Sequence, residues 1–489
     1  MRSDLLKFLF GVLVSGLVLA PVMRNLAQGA AHQAPSAGPV AQAPAAPAAG
    51  SAPSAGPFTR HADPIVLKGE EVPDFAGVTE RDIRVYAARG GKLQPIPCQM
   101  DERNQWGEFV VTKGKRVVAD EDGGGLDEND EIVFLTRDLG ERADKAQVPG
   151  GPRKVYEVEV TDPLTSARSY AYVATYAGNA PAPSTADYVQ YIEQGEGLAR
   201  GINYELGFLK VTSGMDFNHV AILEAAGGDG KNHMDKLKVR VMQNLRRGFT
   251  VGIPTRLDRT EKNFLVKVYG YKDGPVRVVR VMKVNLQLIW KLPAPGATVN
   301  MVFYPEWMES PVPMNLPFKP TWAFSKIEVD ISNDFAFKPT DGVKFYTSNN
   351  PGVWSVVDGK MTPEETAWNK QEVNGGYFGI DASAIGGGAG FVTVRAPKSF
   401  TARILGLYRD DAELGVEPEY YKGDEKFEDR PEWIKGALPM TGNRFIEWGG
   451  VGRGIYTLFW YAFFPPHYKP GDEKSFLDIV DHPVTVTVQ

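Results

Sequence analysis

Beyond residue 58 the chain alternates apolar and polar positions with a period of two. Val155–Val160 (VYEVEV), Leu237–Met242 (LKVRVM), Phe391–Val394 and Val484–Val488 (VTVTV) all follow it, and every even position from Met282 to Leu288 is apolar. Asn333–Pro339 continues the pattern. A strand sends successive side chains to opposite faces, so each run predicts a strand with one face buried. Turns rich in Gly, Pro and Asn separate the runs, drawing on 52 Gly and 36 Pro. Helical spacing is scarce. Thr362-Pro363-Glu364-Glu365 supplies an N-cap, a proline at the first helical position and a capping-box glutamate, predicting a short helix over 362–369. Ile455–Phe464 (IYTLFWYAFF) is apolar throughout but too short to span a bilayer as a helix, so it predicts a strand buried on both faces. The fold class is therefore all-β, with two sandwich-type domains. A Pro/Ala-rich stretch, Gly178–Ala186, divides an N-terminal sandwich (58–180) from a larger domain (181–489).

The first 57 residues break this pattern. Leu5–Met23 is apolar except for Lys7 and Ser15, and Ala27–Pro57 has no Asp, Glu, Lys or Arg. About 19 apolar residues suit a spanning helix better than a signal core of roughly 7–15. Residues 1–26 are thus expected to be an inner-membrane anchor crossing through residues 5–23, with a cleaved signal as the alternative. Lys and Arg lie mainly on its N-terminal side, which places the body outside, in the periplasm, or secreted if the signal is cut. Residues 27–57 form a tether that reaches up to about 100 Å in extended polyproline geometry and about 30 Å as a coil.

Composition narrows the chemistry. A formal net charge of −6 argues against a nucleic-acid surface. One cysteine, Cys98, rules out an intrachain disulfide, c-type haem attachment and a thiolate zinc site. Alternation points it to the same side as Ile96 and Met100, as a buried, inert thiol. Gly449–Gly454 resembles a phosphate loop but precedes a strand-like run, so no nucleotide is expected.

One loop could hold Ca2+. Asp120, Asp122, Glu128 and Glu131 stand at positions 1, 3, 9 and 12 of a twelve-residue calcium-loop spacing, with Leu126 at the carbonyl position and glycine at position 6. Gly124 replaces the ligand at position 5, and the flanks read as strands. The ion would be structural, and the alternative is an acidic hairpin loop.

Two further motifs carry a resemblance. Pro97-Cys98-Gln99-Met100-Asp101-Glu102 and Leu126-Asp127-Glu128-Asn129-Asp130-Glu131, the latter running on to Val133-Phe134-Leu135, are similar to a pattern of uncharacterised bacterial exported β-sandwich proteins. Asp273-Gly274-Pro275-Val276-Arg277 resembles a strand opening of galactose-mutarotase-like supersandwich domains. That resemblance implies a β-supersandwich and carbohydrate contact. The family's His and carboxylate match no position here.

Among the histidines, His219 and His233 have acidic neighbours and are candidates for a general base in a glycan site. His467 and His482 sit beside prolines, and no HExxH or His-x-His pair exists. Trp354, Trp368, Trp433, Trp448 and Trp460 suit core packing better than sugar stacking. Glu417–Trp433 is acidic and aromatic, a candidate interaction loop. With no catalytic constellation legible, the sequence favours a non-enzymatic, tethered role docking on a protein partner in an envelope complex. The alternative is a carbohydrate-binding or glycan-acting protein of mutarotase-like fold.

Overall fold

A computed structural model describes residues 57–120, 123–208, 217–246, 256–260, 263–286, 297–335, 337, 340–350, 352–373, 375–410 and 440–489. The expected anchor, the tether, Asp122 and the Glu417–Trp433 loop lie outside the described residues. Among the described residues no helix is long and apolar enough to cross a membrane.

The period-two runs are strands where they are described, Met282–Leu288 as far as Leu286 and Asn333–Pro339 as far as Phe335, the other positions of these two runs lying outside the described residues except Phe337. Val155–Val160 falls in Lys154–Thr161, Leu237–Met242 in Met234–Leu245, and Phe391–Val394 in Ala389–Arg395. The helix starting at Thr362 forms as Pro363–Trp368, with the Thr362 hydroxyl accepting from the Glu365 amide and the Glu365 carboxylate accepting from the Thr362 amide. Gly454–Phe463 pairs with Trp307–Leu316 on one side and Ala389–Arg395 on the other, so it is a central strand. A nine-residue helix, Glu473–Asp481, had no clear helical signal in the sequence.

The main sheets stack in layers. A five-stranded sheet packs on a three-stranded one made of Pro64–Lys68, Glu131–Leu135 and Gln99–Asp101. Val85, Val158 and Val173 meet Ile65, Ile132 and Phe134 in the core between them. The opposite face of the small sheet carries Val133 and Leu135, which pack on Val279, Val281 and Trp307 of a nine-stranded sheet. Alternation along Val278–Leu286 turns Val278 and Met282 to that sheet's other face. Beyond it lies a second five-stranded sheet, with Met234–Leu245 and Phe324–Phe335 paired antiparallel, in unbroken register from Lys236 to Asn244. A four-stranded sheet from Gln190 to Ile222 adds Tyr204 and Leu206 to the core on the inner face.

The chain crosses between these units twice. After Tyr176 it leaves the N-terminal sandwich through a segment without regular structure and builds the larger assembly. Its last strand, Thr485–Val488, then returns to pair with Lys154–Thr161 at the edge of the N-terminal five-stranded sheet.

Candidate functional site

The two quoted motifs meet. Gln99 and Asp101 lie on the face of the three-stranded sheet that covers the nine-stranded sheet, and Arg277 rises from the opposing layer. The Gln99 carboxamide oxygen accepts from the amides of Val276 (3.2 Å) and Arg277 (2.9 Å), while its nitrogen donates to Asp101 at 2.9 Å. Arg277 donates through Nε to Asp101 at 2.7 Å and through a terminal nitrogen to Glu131. Arg103 donates to the other Glu131 oxygen, and Lys272 lies 3.3 Å from Asp101. Burial alone would raise the Asp101 and Glu131 carboxyls, but Arg277 leads the cations that hold both below their ordinary values. A Cβ at Gly274 would lie 2.3 Å from the Gln99 side chain, so the motif needs glycine for this approach. These residues weld two layers together, and neither motif marks a reacting centre.

The calcium-loop residues go to different tasks. Both Glu131 oxygens are engaged by arginines. Leu126 is buried in the first core, and its amide and carbonyl pair with Val78 and Gly77. A Cβ at Gly125 would lie 3.0 Å from the backbone of Gly77. Asp120 and Glu128 flank this strand end, and among the described residues no group of three or more His, Cys, Asp or Glu could hold a metal ion. Cys98 packs against the first core with Ile96 and Met100, and burial pushes its thiol up to about 11.

A second polar cluster, unlike the weld, leaves one carboxylate oxygen unpaired among the described residues. Glu306 sits in the turn between Ala297–Phe303 and Trp307–Leu316 and is 3 % exposed. Its carboxylate lies 3.3 Å from His61 Nε2 and 3.4 Å from an Arg137 nitrogen. The Arg137 guanidinium stacks 4.9 Å over Tyr188, whose hydroxyl donates to Asp138 at 2.8 Å. Arg89 lies 3.4 Å from the same Asp138 oxygen. Glu306 Oε2 and the Arg137 nitrogen meet these ion partners at 3.3 and 3.4 Å, while Asp138 Oδ2 is buried with no hydrogen-bond partner among the described residues. Buried polar atoms are nearly always paired, so this open oxygen points to a polar ligand or ordered water. The His61 ring, beside them, is half exposed. Glu306 raises the His61 pKa above its ordinary value, chiefly by hydrogen bonding and against the effect of burial. Burial raises the Asp138 carboxyl as well, against Tyr188 and the two arginines.

The histidines singled out in the sequence do not share a groove. His219 lies 3.3 Å from Glu205 and is buried, which lowers its pKa. His233 pairs with Asp229 at 3.1 Å, and His482 with Asp478 at 2.9 Å. The backbone amide of His467 donates to Ala226. His61 carried no motif, and its carboxylate partner is 245 residues away in sequence, as is the Ala62 carbonyl that Trp307 Nε1 meets at 2.9 Å. Trp368 and Trp448 are core residues, Trp354 and Trp460 are half-buried, and Trp433 lies outside the described residues.

The third feature is a chamber of about 580 Å³ between the nine-stranded and the C-terminal five-stranded sheets. Its roof is one alternating face: Leu237, Val239 and Val241 opposite Asn333, Ile331 and Val329. The reverse face of those strands carries Lys238 paired with Asp334, and Asp330 held by Arg444 at 2.9 Å. Met282, Met301, Met308 and Met314 line the floor. The lining runs out to Asn315, Pro317 and Phe318, all exposed, so the chamber reaches the surface there.

No protein-family profile matches the chain, and no curated protein matches it. Among solved structures it is similar to a protein in glycosyl hydrolase family 38 from Enterococcus faecalis, at 9 % identity and a TM-score of 0.40, over 88 % of this chain and 46 % of that one. An alpha-mannosidase from Enterococcus faecalis V583 gives 9 % identity, a TM-score of 0.39, and coverage of 88 % and 44 %. The chain thus spans less than half the length of these proteins, and superpositions this loose carry no argument about sites or activity. The expectation of a non-catalytic docking role in an envelope complex is not carried forward: the solved structures found are a protein in glycosyl hydrolase family 38 and an alpha-mannosidase.

Proposed function

We propose that the protein is an exported, glycan-directed protein that binds a saccharide at the His61–Glu306–Arg137–Asp138 cluster. The observation that supports this reading is the open buried oxygen of Asp138, linked through Tyr188 and Arg137 to Glu306 beside an accessible imidazole. Sugars present adjacent hydroxyl groups, each able to donate and to accept. A carboxylate accepts from such a pair, and a planar guanidinium donates to its oxygens, so the cluster offers both halves of the match. Tyr188 fixes one oxygen of Asp138 and leaves the other open. His61 and Glu306 are also placed to exchange a proton, and the raised His61 pKa suits a general acid near neutrality.

The test is full-length protein on a glycan array, followed by calorimetry on any saccharide captured. Wild type is expected to bind, and Glu306→Gln to bind at least tenfold more weakly, since a hydrogen bond to a charged group contributes about 1.5–3 kcal/mol. Absence of glycan binding by the wild type, or equal binding by the variant, would overturn the reading.

A further inference from the structure

We infer that the chamber between the two large sheets is a binding site for one long-chain fatty acid. This rests on different residues from the saccharide site and does not depend on it. At about 580 Å³ the chamber falls within the range of roughly 300–1,000 Å³ that small-molecule sites occupy. It is about four times the ~150 Å³ cavity that suffices for benzene, so its capacity exceeds a single ring.

Shape and chemistry both point to a chain. Along one floor strand, Met308, Ser310, Val312, Met314 and Leu316 face the chamber in turn, a run of about 27 Å. The polar side chains on its walls are few: Gln243, Ser310, Asn333, Asn443, His233 and Tyr461, with Asn315 at the mouth. Such a lining offers too few partners for a polyhydroxylated ligand, whose groups would be buried unpaired. Four methionines give the floor an adaptable surface, suited to a flexible polymethylene tail.

The mouth supplies the sign of the head group. Exposed Phe318 and Trp322 meet edge to face there, with ring centroids 5.9 Å apart. Lys319 stands between them and is exposed. Arg246 is anchored beside them, its Nε donating to the Thr321 carbonyl at 2.7 Å. From Met314 to Phe324 the chain has no acidic residue. A carboxylate leaving the chamber at Phe318 therefore emerges among positive charges, where attraction outlasts that of a neutral ester.

The experiment is displacement of a dansyl-labelled undecanoic acid probe from delipidated full-length protein. Palmitate is expected to displace it, with affinity falling more than tenfold from sixteen to eight carbons. Methyl palmitate should be several-fold weaker than palmitate. The double variant Lys319→Glu/Arg246→Glu should lose that preference while still binding the ester, a surface change that leaves the walls intact. Met301→Trp, which fills the floor, should abolish binding of both ligands, and Glu306→Gln should leave binding unchanged. No displacement by palmitate, displacement by a sterol alone, or binding that ignores both chain length and the mouth charges would overturn the inference.

Discussion

Two charged clusters sit a few residues apart around one hairpin, Tyr304 belonging to the first and Glu306 to the second, and they are built in opposite ways. Around Arg277 the ions face one another: Asp101, Glu131, Gln99 and Tyr304 take up the guanidinium and the backbone amides beside it. Around Glu306 the ions meet at 3.3–3.4 Å, His61 is half exposed, and one buried oxygen, Asp138 Oδ2, is left open. A closed network costs desolvation and returns rigidity; an open one holds valences in reserve. The difference separates architecture from function more clearly than burial or charge alone. It also explains why the motifs that carry the family resemblance belong to the weld between layers.

The largest effect should come from breaking the closed cluster. Arg277→Met removes the cation between Asp101 and Glu131 and leaves two buried carboxylates short of it, an expected loss of about 3–5 kcal/mol in urea unfolding. In wild type both carboxyls are held low, so their contribution is present above the unfolded carboxylate range and is lost as pH falls through the folded values. Arg277→Met should flatten that acid limb of the stability profile. An unchanged unfolding midpoint and acid limb would contradict the reading of this cluster as a weld.

Removing residues 484–489 comes next. It strips the edge strand from Lys154–Thr161 and uncovers the side that Val486 and Val488 pack against, at about 2–4 kcal/mol. Proteolysis should then begin in the N-terminal sandwich, not in the larger assembly. Glu306→Gln should behave in the reverse sense to Arg277→Met, changing unfolding by about 1 kcal/mol or less, because its ion pairs are long and the His61 partner is half exposed. The His61 pKa should fall in the same variant. His61 contributes stability below the unfolded histidine value, lost as pH rises through its raised folded value, and this small term should vanish. Titration of the His61 ring by NMR reads it directly. A large loss of stability on Glu306→Gln would erase the contrast between the clusters.

Strands were legible because one face of each is buried, and period two survives in the letters. The helix at Thr362 was legible because its capping box is local. Cys98 pointed where alternation placed it, beside Ile96 and Met100. The sequence was silent where chemistry depends on distant segments. His61 precedes the first strand and Glu306 lies in a hairpin turn, so no spacing rule joins them. The chamber was equally hidden: Met301 and Val241 read as ordinary core residues, and only the separation of two sheets leaves room between them. Glu131, which matches a calcium-loop position, is engaged by Arg103 and Arg277, partners that lie outside any local spacing rule.

The return of Thr485–Val488 to the N-terminal sheet has a consequence for biogenesis. Its partner strand is made more than three hundred residues earlier, so the first-built sandwich must wait, with a bare edge, until residues 485–488 are synthesised. An unpaired edge invites pairing with another chain, and the waiting period is when aggregation competes with completion. A long insertion ahead of Thr485 would lengthen that wait, so yield of soluble product should fall as the insert grows.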